Sequence, residues 1–328
     1  MTHPGPLNLI TDVPGLAVGH AVDERVQSGV TTLLCGEGCP AAVDVRGGGP
    51  GTRETEALAA ENLVGRAHAI VLAGGSVFGL GAADGVAAAL SARGVGLLLR
   101  APDLPIPIVP CAVLHDLANP GDKHWGLEPP YRRLGHESVR AAARGFALGL
   151  VGAGRGAVAG LGKGGIGSAS IDLGDGVVVG ALVAVNCVGS ALMPDGRTYW
   201  AWPFEFGAEF GGRGGPAGEL RATEPFPQQS RLAEFGRAQP GANTTLAVVA
   251  CNAAMDTAAC KRIAMMAQDG IARAIRPAHT PFDGDTVFAL AAGPVHVSAE
   301  TRALQLARIG AAAADCLARA IARGVYAA

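Results

Sequence analysis

Short runs rich in β-branched and apolar residues alternate along the chain with longer Ala-rich stretches. The short runs predict strands at residues 16–20, 30–35, 42–46, 69–73, 95–100, 106–114, 177–186, 245–252 and 286–291. The Ala-rich stretches predict helices at 53–65, 79–93, 133–148, 257–275 and 299–323, with Asp256 and Ser298 as N-caps of the last two. The runs at 177–186 and 246–250 do not alternate polar with apolar. A strand apolar on both faces is buried on both faces, so these sheets are covered by further layers, as in an α/β sandwich. Two stretches break the rhythm. Residues 152–170 are Gly-rich with few polar side chains, and residues 203–242 are irregular, a length uncommon inside a compact domain unless it serves a function or a linker.

Composition narrows the picture. Of 328 residues 49 are Gly, about 15%, roughly twice the usual share. No Gly-X-Y period accompanies them, which excludes a collagen. With 49% hydrophobic and only 16% charged residues the chain can build a core, and with 5% aromatics that core is made of small side chains. A net charge of −2 gives no footprint for nucleic acid or an anionic membrane. Lys123, Lys163 and Lys261 are the only lysines among 26 basic residues, so a Lys here is an unusual choice. The seven cysteines are odd in number and sit mostly in apolar runs, which reads as reduced thiols in a cytoplasmic protein. The first fifteen residues lack a basic start and an apolar stretch, unlike a signal peptide. The apolar run at 67–83 is interrupted by Gly74-Gly75-Ser76 and reads as strand, turn and helix rather than a membrane span.

Several motifs fail. A phosphate loop over the Gly-rich stretch would need Gly at 157 and Ser or Thr at 164, where Ala157 and Gly164 stand. The nucleophile elbow is broken by Phe78 in Gly74-Gly75-Ser76-Val77-Phe78, and Cys35 and Cys39 lack a downstream pair for zinc. No cofactor or metal is expected. What survives is Asn243-Thr244-Thr245, where the long irregular stretch meets a buried strand. Read plainly it is loop-to-strand chemistry. Read sharply it is a self-cleaving junction, in which the Thr244 hydroxyl attacks the Asn243 carbonyl and water releases a chain beginning at Thr244. The new α-amine, with an ordinary pKa of about 7.7–8.0, then serves as base for the hydroxyl on its own residue.

The surrounding motifs favour the sharp reading. TDVPGLAVGH (11–20), DVRGGGPGTRETEAL (44–58), AIVLAGGSVFGLGAADGV (69–86), GKGGIGSAS (162–170), GALVAVNCVG (180–189), GANTTLAVVACNA (241–253) and PFDGDTVFAL (281–290) follow in this order. Together they resemble the DmpA/BapA-type aminopeptidase family, which includes the 6-aminohexanoate oligomer endo-hydrolase. The resemblance spans nearly the whole chain. It implies a four-layer αββα sandwich, a single-domain precursor of residues 1–328, and one cut into a large subunit 1–243 and a small subunit 244–328. It also implies assembly, often as a homotetramer of processed units.

The resemblance assigns roles residue by residue. Thr244 matches the nucleophile, with Asn243 before the cut. Asp283 and Asp285 fall where many relatives carry Ser-x-Glu; two apart across a Gly, both carboxylates would point to one side. They could hold the Thr244 ammonium or hydroxyl, or share a proton. Lys163 matches a Lys whose ammonium, softened by burial, would lower or orient the Thr244 hydroxyl. Asn186 matches the oxyanion-binding Asn. His115 departs from the pattern, standing where some relatives place a site-lining Tyr, and a hydrogen-bonded core His is an equal reading. Glycines at 47–49, 74–75 and 164–165 would let backbone N–H groups approach a substrate or oxyanion.

The substrates implied are small peptides, D- or β-amino-acid amides, or linear amide oligomers, with endo and exo action both open. Two other readings stand beside hydrolysis. One is acyl transfer to an amine, as in ornithine acetyltransferases that also cleave before Thr. The other is an uncleaved Gly-rich binding scaffold.

Overall fold

A computed structural model describes residues 2–100, 104–218, 224–231 and 243–328. The strands are β1 (Ala17–Asp23), β2 (Ser28–Val45), β3 (Gly51–Arg53), β4 (Arg66–Ala73), β5 (Cys111–Val113), β6 (Val158–Ala159), β7 (Gly162–Lys163), β8 (Gly165–Asp172), β9 (Val178–Asn186), β10 (Thr244–Ala253) and β11 (Thr286–Val295). The helices are α1 (Ala82–Ser91), α2 (Tyr131–Arg140), α3 (Thr257–Ala274) and α4 (Arg302–Tyr326).

The two strands expected at 30–35 and 42–46 are one strand, β2, that serves two sheets. Its first half pairs with β1 and β4, and its second half with β11. The register breaks between Leu34 and Cys39, where Gly36 and Gly38 take left-handed φ angles of 57° and 89°. Glycine adopts that conformation without a Cβ clash, so the strand can bend out of one sheet into the other. One sheet runs β1–β2–β4–β5–β3 and the other β2–β11–β10–β9–β8. Helices α1 and α2 cover the first, and α3 and α4 cover the second.

Three apolar layers result. Leu33, Ile70, Leu72 and Leu114 of one sheet meet Ile166, Leu182, Leu246, Val248 and Phe288 of the other, all 0% exposed. Each such burial contributes about 1.5–3 kcal/mol. The outer layers join α3 and α4 to the opposite faces of β9, β10 and β11, and α1 and α2 to β4. Every residue of β10 is buried, as its unbroken apolar pattern requires. The architecture is therefore the expected αββα sandwich.

Several elements differ from expectation, each for a local reason. Residues 53–65 are not a helix: Arg53 closes β3, Glu54 sits at φ +59°, and only a short turn, Glu56–Leu58, follows. Residues 95–100 form no strand among the described residues beyond a bridge from Leu97 to Ile106, and 106–114 shortens to β5. The helix expected at 133–148 ends at Arg140, and Ala143 instead bridges Val18. Asp256 caps α3 by accepting from the Ala259 N–H at 2.8 Å, but α4 starts only at Arg302, so Ser298 lies outside it. The Gly-rich stretch hides β8. Its glycines are packing devices: a Cβ on Gly167 would stand 1.8 Å from the Ala320 carbonyl oxygen of α4. Of the irregular 203–242 stretch, residues 219–223 and 232–242 lie outside the described residues. Within the described part Glu209 is held by the wholly buried Arg319 of α4, at 2.6 Å.

Candidate active site

Strand β10 begins at Thr244 in the middle of its sheet. Thr244 stands opposite Asn186 of β9, and Asn243 bridges Asp283 on the other side, just before β11. Pairing on both flanks fixes the backbone of the Asn243–Thr244 junction, and the two residues are 0% and 2% exposed. The Asn243 carbonyl oxygen accepts the Gly284 N–H at 2.9 Å. The Thr244 hydroxyl donates to the same oxygen. A donor on a carbonyl oxygen draws charge toward it and stabilises the oxyanion that nucleophilic attack creates. The junction thus holds a hydroxyl and an oxyanion donor on one peptide bond.

The acid pair lies beside this bond but neither carboxylate takes a hydrogen bond from Thr244. Asp283 Oδ2 accepts from the Thr280 N–H at 3.0 Å and hydroxyl at 2.6 Å, and its Oδ1 from the Val188 N–H at 3.2 Å. Burial, and then the neighbouring Asp285 carboxylate, push the Asp283 carboxyl up to about 6. Asp285 Oδ1 accepts the Thr245 N–H at 2.8 Å, and its Oδ2 sits 2.8 Å from His279 Nδ1 and 3.0 Å from the His279 N–H. The pair therefore braces the backbone on both sides of Thr244: Asp285 through Thr245, and Asp283 through the turn that carries Gly284.

Asn186 closes β9 with its side chain buried. Its Oδ1 accepts the Val158 N–H at 2.9 Å and its Nδ2 donates to the His115 carbonyl at 3.2 Å. An amide carries two N–H donors, so one is without a partner among the described residues. His115 thus meets the site through its backbone, which fixes the Asn186 amide; its ring makes no hydrogen bond among the described residues. Lys163 departs from expectation. It is exposed on the β6–β7 hairpin, opposite Val158, and no hydrogen bond or ion pair holds its ammonium among the described residues. The burial proposed for it is absent. Lys163 lines a cavity of about 560 Å³ together with Ser190, Tyr199, Arg213, Gln229 and Tyr326. Through Val158 that hairpin is one hydrogen bond from Asn186.

The Gly clusters act differently from expectation as well. The N–H groups of Gly47, Gly48, Gly49, Gly74, Gly75 and Gly164 all donate within the chain. Those of 47–49 bond the 280–285 turn, so they build the site rather than approach a substrate. Three participants were missed from sequence: Gly284, His279 and Arg231. Arg231 Nη1 donates to Asn243 Oδ1 at 2.5 Å. Gly284 could have been noticed as the middle of Asp-Gly-Asp. His279 and Arg231 carry no local signal, because only the fold brings them to the junction.

The profile of peptidase family S58 matches residues 8–328. An uncharacterized aminopeptidase of Mycobacterium tuberculosis is 43% identical, over 97% of this chain and 94% of its own length. A 6-aminohexanoate-oligomer endohydrolase of an Agromyces species is 31% identical over 85% of this chain and 73% of its own length. The solved structure of an L-aminopeptidase D-Ala-esterase/amidase from Ochrobactrum anthropi, described as a variant of the Ntn hydrolase fold, superposes with a TM-score of 0.70. It covers 99% of this chain and 88% of that one at 21% identity, a likeness of fold.

Proposed function

The chain belongs to peptidase family S58, and from that premise we propose an amide hydrolase that cuts itself between Asn243 and Thr244 and then works through the freed threonine. One observation carries this reading. A buried peptide bond has a hydroxyl and a backbone N–H, from Thr244 and Gly284, both on its carbonyl oxygen.

The first reaction is the cut. Thr244 Oγ attacks the Asn243 carbonyl carbon, and its proton passes to the departing amide nitrogen, which becomes the Thr244 α-amine. The Gly284 N–H holds the oxyanion meanwhile. Water then breaks the ester, leaving Asn243 as a carboxylate and restoring the hydroxyl. In the mature protein the α-amine takes the Oγ proton as the hydroxyl attacks a substrate amide, and gives it to the leaving amine. The remaining N–H of Asn186, its amide oriented by His115 and Val158, would bind the second oxyanion. Asp283 and Asp285 fix the backbone at Gly284 and Thr245 and supply negative charge near the new ammonium. Lys163 stands on the exposed hairpin whose Val158 bonds Asn186, and a role for it in the reaction requires its ammonium to swing in from there.

The substrates on this reading are small peptides or linear amide oligomers, 6-aminohexanoate oligomers among them. Family membership and the relatives' names support the class, and the Thr nucleophile with its Asp-Gly-Asp pair favours the oligoamide branch. The processed units would assemble as a homotetramer in the cytoplasm; seven buried free thiols suit that reducing setting.

The deciding experiment is the mass and N-terminal sequence of purified protein. The expected result is two chains, 1–243 and 244–328, the second beginning Thr-Thr-Leu-Ala-Val. Active protein in one uncut chain overturns the mechanism. Amide hydrolysis without acetyl transfer to ornithine separates it from the transferase reading.

A further inference from the structure

Arg231 grips the side chain of the residue whose carbonyl is to be attacked. Its Nη1 donates to Asn243 Oδ1 at 2.5 Å. The same residue is anchored through its backbone, its N–H donating to the Val188 carbonyl at 2.9 Å, while the Val188 N–H donates to Asp283 at 3.2 Å. Arg231 and the Asp283 turn are thus tied to one another as well as to the junction. Asn243 is wholly buried, and its Nδ2 has no partner among the described residues.

Resting on the self-cleavage reading, we propose that Arg231 is the positioning residue for the cut. Two physical consequences follow from its grip. The first concerns geometry. The Asn243 carbonyl must stay on the Gly284 N–H while the Thr244 hydroxyl attacks. Backbone pairing holds one side of Asn243, and the charged hydrogen bond from Arg231 holds the other. Rotation of this residue would carry the carbonyl off its donor and lose the oxyanion stabilisation. A planar guanidinium that is always charged suits a fixed geometry better than a flexible amine would.

The second concerns competing chemistry. An Asn can break the peptide bond that follows it without any hydroxyl. Its side-chain nitrogen attacks its own carbonyl carbon, the amide nitrogen leaves with a proton, and a cyclic imide remains on the new C-terminus. That fragment is lighter by one water than the carboxylate from the Thr244 route. Held at Oδ1 by Arg231, the Asn243 amide cannot swing freely onto its own carbonyl, so the cut runs through Thr244.

The test follows self-cleavage over time in freshly made full-length protein by denaturing gel and intact mass. It compares wild type with Arg231→Ala, Arg231→Lys, Asn243→Ala and the Arg231→Ala/Asn243→Ala pair. Arg231→Ala should slow the cut roughly tenfold to a hundredfold, the loss of one hydrogen bond to a charged group. Arg231→Lys should recover part of the rate. In the Asn243→Ala background Arg231→Ala should add nothing, because a positioning residue acts only through what it holds. A purely structural role predicts equal slowing in both backgrounds, which overturns the proposal. So does Arg231→Ala cutting at the wild-type rate, or Asn243→Ala doing so. Wild type left uncut would overturn self-cleavage itself, a result distinct from all of these.

Discussion

A β-carbon placed on Gly284 would stand 2.7 Å from the Thr244 hydroxyl oxygen and 2.9 Å from the Gly49 carbonyl oxygen. Atoms do not approach that closely without displacement, so the place of the Thr244 hydroxyl is reserved by the absence of a side chain at the entry to the neighbouring strand β11. The same glycine donates its N–H to the Asn243 carbonyl. Gly284→Ala should therefore slow self-cleavage at least about a hundredfold, the effect of a displaced oxyanion donor. Overpacking should also lower stability by about 1–3 kcal/mol. The fraction of uncut chain over time and urea midpoints of the uncut protein check both, and rapid normal cleavage would count against the N–H as oxyanion donor.

Thr244→Ala should remain one chain near 32.8 kDa and hydrolyse no amide. It removes the hydroxyl, which on the proposed mechanism is both the attacking oxygen of the cut and the nucleophile of the mature site. Thr244→Ser keeps the oxygen and should still cut. Intact mass decides: cleavage at the same bond in Thr244→Ala would mean that another group performs it.

Lys163 gives a separation of function from stability. Its side chain is exposed and makes no hydrogen bond or ion pair among the described residues, so Lys163→Ala should change stability by no more than about 0.5 kcal/mol. If its ammonium serves proton transfer or orientation at the site, cleavage or turnover should fall about a hundredfold. Unchanged rates in a normally folded variant would remove its role.

The acid response should expose two buried groups of opposite sign. Burial lowers the His20 ring from 6.5 to about 4, so its contribution to stability is complete above 6.5 and is lost as pH falls toward 4. Asp283 is raised from 3.8 to about 6, so its buried charge costs stability above 6, and that cost disappears as pH falls toward 3.8. Each span is worth about 3 kcal/mol at most. The two act in opposite directions. His20→Gln removes the first effect, so the stability of the variant relative to wild type should rise as pH falls from 6.5 to 4. Urea midpoints across pH 4–7 read it directly; a wild-type and variant pair with parallel profiles would show that His20 is not held neutral by the fold.

Local pattern was enough to reveal the layers and to single out the junction. Unbroken apolar runs at β9 and β10 required burial on both faces, and a polar Asn-Thr at the mouth of such a strand stood out against them. Asp256 capped its helix because an N-cap depends only on residues within one turn. The motif order that pointed to the family was equally a property of the sequence. What local pattern could not show was anything decided across the sheets. Glu54 turned an expected helix into a strand end, because pairing of β3 with β5 outweighs helix propensity over a few residues. Glycines that looked suited to substrate contact proved to be spacers, because the helices and turns packed against them exist only in the folded chain. Lys163 looked like a buried ammonium and stands at the surface. Asp285 found His279, and Asn243 found Arg231, through contacts that no spacing encodes. A sequence fixes which groups are available. Which of them share a peptide bond's surroundings depends on how β9, β10 and β11 line up, and only long-range packing sets that register.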